Sequence, residues 1–198
     1  MAIALPTTPV ARSITPRLVS RRRDLEPTFN GPTSRIRRIG SRWSIDFDYP
    51  PMTYADAMEW VAKLTSAEAD TVILAVPQPG FDTGAPGTPL VNGGGQLGSA
   101  IDLDAFTPSH VARVGQWFNL TVSGALFLYQ VAAETVSTTG GVLADLPINP
   151  MIRRSPADNS AADFTTPKIE GFLSGRETSW TVDTARHVGL SFTITERQ

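Results

Sequence analysis

Trp43, Ile45, Phe47 and Tyr49 alternate with Ser44, Asp46 and Asp48. Apolar side chains at period two predict a strand with one buried face. Pro50-Pro51 ends it, because proline cannot donate to a ladder. Thr53 then opens a helix: its hydroxyl can cap free backbone N–H groups, and Asp56 stands three residues on. Tyr54, Met58, Val61 and Leu64 fall at helical spacing, with Ala57 and Trp60 beside them, so one face of 54–64 packs on a sheet. The apolar run 71–76, closed by Pro77, predicts a buried strand.

Residues 77–98 (PQPGFDTGAPGTPLVNGGGQLG) read as a long loop with a short strand near Leu90-Val91. A β-rich stretch follows. Trp117, Phe118, Leu120 and Val122 lead into a Ser123-Gly124 hairpin turn, 125–136 forms a long strand, and 142–148 returns after Thr138-Thr139-Gly140-Gly141. Three or four antiparallel strands in so short a span suit a small barrel. Three further strands are expected at 169–173, 179–182 and 188–194.

The strand-helix-strand unit at 41–76 is too small to bury its own faces, and the strands at 169–195 need partners. Pairing them with each other leaves the middle as an insertion, which close chain ends make tolerable. The expected architecture is mainly β with one helix. A split β domain at 18–92 plus 165–198, a sheet with a packed helix, carries an inserted small barrel at 99–164. Residues 1–40, rich in Pro, Thr and Arg, read as an extended arm with short strands, one near 18–20.

Composition supports this picture. Only 18% of the 198 residues are charged, and there are 16 Gly and 16 Pro. Breakers at that density exclude an all-helical bundle. No apolar run approaches a membrane span, and the opening MAIALPTTPVARS lacks the basic start of a secretory signal. With no Cys, a disulfide framework and a thiolate metal site are excluded, and two His leave little material for a His-rich metal site.

Charge is unevenly spread. Residues 1–42 hold nine Arg against Asp24 and Glu26, a net of +7, while the remainder holds eight basic and seventeen acidic residues, a net of −9. Such an arm can contact nucleic acid or dock on the acidic surface of a neighbouring copy. Phe29 is its one aromatic residue, so it lacks a stacking platform for bases, and no specific nucleic-acid partner is expected. The candidate interface residues are Arg21, Arg22, Arg23, Arg35, Arg37 and Arg38.

Catalytic motifs are weak. Gly93 to Gly98 satisfies G-x-G-x-x-G, yet the following SAIDLDAFTPSH is a poor helix and no acid stands near 113–118, as a dinucleotide site requires. Asp46/Asp48 and Asp102/Asp104 are i, i+2 carboxylate pairs that on a strand would share a face and could bind a cation. The first, opposite the apolar face of its strand, reads as a solvated sheet face, and neither has a matched acid or base for glycoside chemistry. His110 and His187 lack a nucleophile on a strained G-x-S-x-G turn. Arg153-Arg154 reads as a solvated pair. The expectation is a non-enzyme with no catalytic residues, cofactor or metal.

One stretch carries a family likeness. Ser41 to Thr53 (SRWSIDFDYPPMT), running into YADAMEWVAKL, resembles the opening of tail-tip proteins of long-tailed bacteriophages, which read R-W, apolar alternation, P-P-M-T and then a helix. Val114 to Phe118, Leu128 to Val131 and Gly140 to Pro150 resemble their "G-D-x-F … L-Y-x-V … G … I-x-P" run, with Gln116 where an Asp is common. Phe172 to Ser174 and Ser179-Trp180 also fit, so the likeness covers 41–183. The split architecture is similar to the distal tail protein that carries an inserted oligosaccharide-binding-like (OB-like) barrel. The resemblance implies a structural virion protein at the tail tip. It would form a homohexameric ring, its tube-like domain between the tail tube protein and the tail-tip hub protein and its barrel outward. No membrane partner is implied. A carbohydrate- or single-strand-binding barrel is the alternative, and exposed rings at Trp117, Phe118 or Tyr129 would favour it.

Overall fold

The computed structural model describes every residue except Met1, Pro27, Phe29, Arg176, Glu177, Ala185 and Gln198. Along the N-terminal part run β1 (Ile3–Ala4), β2 (Ser13–Val19), β3 (Arg23–Leu25), β4 (Ser34–Ile36), β5 (Arg42–Asp48), β6 (Met52–Thr53), helix α1 (Tyr54–Ser66) and β7 (Val72–Ala75). The middle holds β8 (Gly87–Val91), β9 (Gly98–Phe106), β10 (Val111–Ala112), β11 (Trp117–Val122), β12 (Ala125–Val131), β13 (Thr135–Val136), β14 (Leu143–Ile152) and β15 (Ala162–Asp163). β16 (Lys168–Leu173), β17 (Trp180–Val182) and β18 (His187–Glu196) close the chain. The fold is mainly β with a single helix.

Strands from both ends of the chain share one eight-stranded sheet, in the order β1-β7-β16-β18-β5-β2, with β6 and β17 also paired to β18. Its two faces differ because side chains alternate along each strand. Register places Ile14, Phe47 and Phe192 in one cross-strand row and Pro16, Ile45 and Ile194 in another. Helix α1 covers this apolar side: Trp60 lies 4.5 Å from Tyr49 and 6.2 Å from Phe192, ring centre to ring centre. The helix begins where the sequence places it. The Thr53 hydroxyl accepts from the Asp56 N–H at 3.3 Å, and Ala57, Trp60, Val61 and Leu64 are buried. The opposite face carries the rows Ser13–Asp48–Ser191 and Thr15–Asp46–Thr193. Asp46 accepts from Arg17 at 2.7 Å and from the Thr193 hydroxyl at 2.6 Å.

β2 forms the outer edge. The Trp43 amide points toward the β18 side, where it meets Glu196. By alternation the amides of Ser44 and Asp46 point toward β2, and Thr15 and Arg17 answer them. Pro16 therefore sits where its missing N–H would face outward, the position an edge strand tolerates.

The middle strands form a six-stranded sheet ordered β15-β11-β12-β14-β9-β8. It is nearly closed, because Leu90 on β8 bridges to Ala161 beside β15 and the Val91 N–H donates to the Ser160 carbonyl at 2.9 Å. This barrel-like sheet is consistent with an OB-like barrel. Its interior holds Ile101, Leu103, Phe118, Leu120, Phe127, Tyr129, Leu143, Leu146 and Phe164, all essentially inaccessible. Ser123 and Gly124 take φ of 52° and 78° in the turn between β11 and β12, the doubly left-handed geometry of a two-residue hairpin.

The sequence reading differs from the structure in four places. Gly87–Val91, expected within the split domain, pairs with β9 in the barrel. The strand Gly98–Phe106 goes unrecognised in the sequence, although Ile101 and Leu103 alternate with Asp102 and Asp104. The strand expected over 125–136 stops at Val131, and Thr135–Val136 turns away to pair with β10. Within the expected arm, Ser13–Val19 pairs with β5 along its whole length.

Candidate functional site

The arginines singled out in the sequence converge on one place. β3 and β4 form a two-stranded hairpin apart from both large sheets, in register Arg23↔Ile36, Asp24↔Arg35 and Leu25↔Ser34. All six residues are exposed. Arg22, Arg35, Arg37 and Arg38 line a hollow of about 230 Å³ against Pro150 and Met151. Arg21, Arg22, Arg23 and Arg38 line an adjoining one of about 670 Å³ with Arg153. Asp24 pairs with Arg35 at 3.0 Å and lies 3.8 Å from Arg22. Among the described residues, no carboxylate lies within ion-pair distance of Arg23, Arg37 or Arg38. The six candidates thus form one cationic surface.

Arg153 is not the solvated residue expected from the sequence. Its side chain is 3% exposed and its guanidinium grips Glu196, 1% exposed, through two bonds of 2.8 Å. The guanidinium carbon lies 5.2 Å from the centre of the Phe127 ring and 5.6 Å from that of Tyr129. Burial alone would weaken its charge, yet the Glu196 carboxylate holds its pKa above the ordinary value. Burial likewise pushes the Tyr129 hydroxyl up, against the opposing pull of Arg153. Glu196 also accepts the Trp43 N–H and the Leu128 N–H, each at 2.7 Å. Glu170 makes a second such joint. It accepts the Leu126 N–H at 2.8 Å, Arg197 at 3.0 Å and the Thr71 hydroxyl at 3.2 Å. Both carboxylates stand on strands of the large sheet and take amides of barrel strand β12, which pairs with β14 only at Gln130 and Val131. A backbone edge left open in the barrel is thereby satisfied by the neighbouring unit.

The remaining candidates stay apart. The Gly93–Gly98 segment joins two strands and wraps on Gln96, whose amide donates to the carbonyls of Asn92, Gly93 and Asp102. It is therefore not the strand-to-helix turn of a dinucleotide site. His110 stacks on Phe106 at 5.3 Å, and burial, then the Arg113 charge, lowers its pKa. His187 is an exposed neighbour of Asp183 at 3.8 Å. Phe118 and Tyr129 are buried in the barrel, and Trp117 is half-buried with its ring 4.5 Å from Trp43. The three rings do not make an open platform. Among the described residues no cluster of three or more His, Asp or Glu is arranged to hold a metal ion, and no helix is long and apolar enough to cross a membrane.

Sequence reasoning missed Glu170 and Glu196. The available signal was position: Glu170 interrupts the apolar run 169–173, and Glu196 extends the alternation of 188–194. No protein-family model matches the chain, and no curated protein matches it significantly.

Proposed function

We propose that this protein is a non-catalytic ring subunit of a long-tailed bacteriophage. Six copies would sit at the distal end of the tail tube, between the tube protein and the tail-tip hub, with the barrels projecting outward. The resemblance over 41–183 suggests this role. The observation that carries it is the two-faced sheet. One face is sealed by α1, while the other presents Ser13, Asp48, Ser191, Thr15, Asp46 and Thr193 in adjacent rows. A sheet lining a water-filled channel needs such a polar inner face, with its helix turned to the outside. A closed cyclic ring also gives each copy defined neighbours without an open filament end.

The test is the native mass of the purified chain across protein concentration and salt, with negative-stain images of the product. The expected result is a six-fold or twelve-fold multiple of the 21.3 kDa chain mass and annular particles. A strict monomer that also fails to join purified tail tubes would overturn the proposal.

A further inference from the structure

We infer that the β3–β4 hairpin docks on the acidic outer face of the barrel of a second copy of this chain. The inference rests on the ring reading and names the contact that would hold neighbouring copies together. Three observations lead to it.

The hairpin lacks the packing that would hold it in water. An isolated two-stranded ribbon is marginal by itself. This one leaves both its faces exposed, with Leu25 at 42% and Ile36 at 41%. Register puts these two apolar residues on the same face as Arg23, so that face sets an apolar pair beside a positive charge, while Arg35 lies on the other face against Asp24.

The cations concentrated there repel one another. Arg22, Arg35, Arg37 and Arg38 share one hollow, and Asp24 is the single acid in ion-pair contact among the described residues of the hairpin. Like charges held close are costly unless an anionic surface meets them.

The same chain supplies that surface. Asp102 and Asp104 stand on β9, alternating with the buried Ile101 and Leu103, and so face outward from the barrel. Asp145, exposed on β14, joins them: its N–H donates to Asp102 Oδ1 at 2.7 Å. No cation among the described residues forms an ion pair with Asp102, Asp104 or Asp145. Each copy thus carries, at different places, a positive surface on which Arg23, Arg37 and Arg38 meet no carboxylate among the described residues and a negative one that meets no cation among them. Joining them head to tail closes a ring when the rotation allows. A phosphate backbone could match the charge of the hairpin, but it leaves the acidic barrel face unanswered. No aromatic ring of the described hairpin residues is placed to stack on bases.

The experiment uses two charge-reversed full-length chains, one with Arg23→Glu, Arg37→Glu and Arg38→Glu, which leaves the Asp24–Arg35 pair in place, the other with Asp102→Lys, Asp104→Lys and Asp145→Lys. Sedimentation gives their mass alone and mixed, and circular dichroism checks that each folds. Either variant alone is expected to associate at least about a hundredfold more weakly than wild type, while an equal mixture regains assembly, because each hairpin then meets a face of opposite sign. Wild-type association should also weaken with salt.

Unchanged assembly of both variants alone would overturn the contact and leave the ring reading standing. Loss of assembly in each variant with recovery on mixing, but with open chains rather than closed rings, would keep the contact and overturn the ring. Monomeric wild type that binds a DNA oligonucleotide through the hairpin would overturn the docking on a second copy.

Discussion

Arg153 and Glu196 show how far one buried pair can organise a molecule. Breaking such a pair strands a charge in a dry environment, which costs far more than losing a surface ion pair. Arg153→Ala should therefore destabilise the protein by about 3–5 kcal/mol in denaturant titration. Arg17→Ala, which removes an exposed partner of Asp46, should stay within about 1 kcal/mol. His110 gives a prediction of a different kind. Its pKa is lowered in the fold, so the unfolded chain takes up a proton that the folded chain refuses as pH falls through about 6.5. Stability should then fall with acid. His110→Phe keeps a ring against Phe106 without a titrating nitrogen. Its melting temperature should drop less than that of wild type between about pH 7.5 and about pH 5.5.

Local chemistry made much of the element level legible. The Thr53–Asp56 spacing marks the start of α1, and Thr53→Ala should cost about 1 kcal/mol in thermal or chemical denaturation through loss of its cap. Alternation located β5 and β18, and Ser123-Gly124 located the hairpin between β11 and β12. Where reading failed, a strong local signal masked a weaker one. The glycine tract before β9 drew attention from the Ile101/Leu103 alternation. The unbroken β propensity of 125–136 hid the break after Val131, which tertiary pairing of β13 with β10 decides. The candidate arginines were legible as a charge bias. That they meet on a separate hairpin was not, because register across a long connection leaves no short-range trace. The buried glutamates were invisible for a related reason: a carboxylate looks solvated until the fold brings it an amide edge and an arginine.

Across the whole molecule, the barrel and the large sheet are joined by polar bonds as well as by apolar packing such as Trp117 on Trp43. Glu170 and Glu196 each reach from the sheet to β12. The two units should consequently melt together in a calorimeter. Glu170→Gln combined with Glu196→Gln keeps side-chain size but removes the charges that hold Arg153 and Arg197, and it should split the single transition into two. The large sheet also has a safeguard at its rim. Pro16, midway along β2, withholds a hydrogen where an incoming strand would seek one. Cross-β growth from that rim is interrupted at its centre, so crowded copies are steered away from fibres. Pro16→Val should restore a continuous template, visible as rising light scattering at high concentration where wild type stays clear.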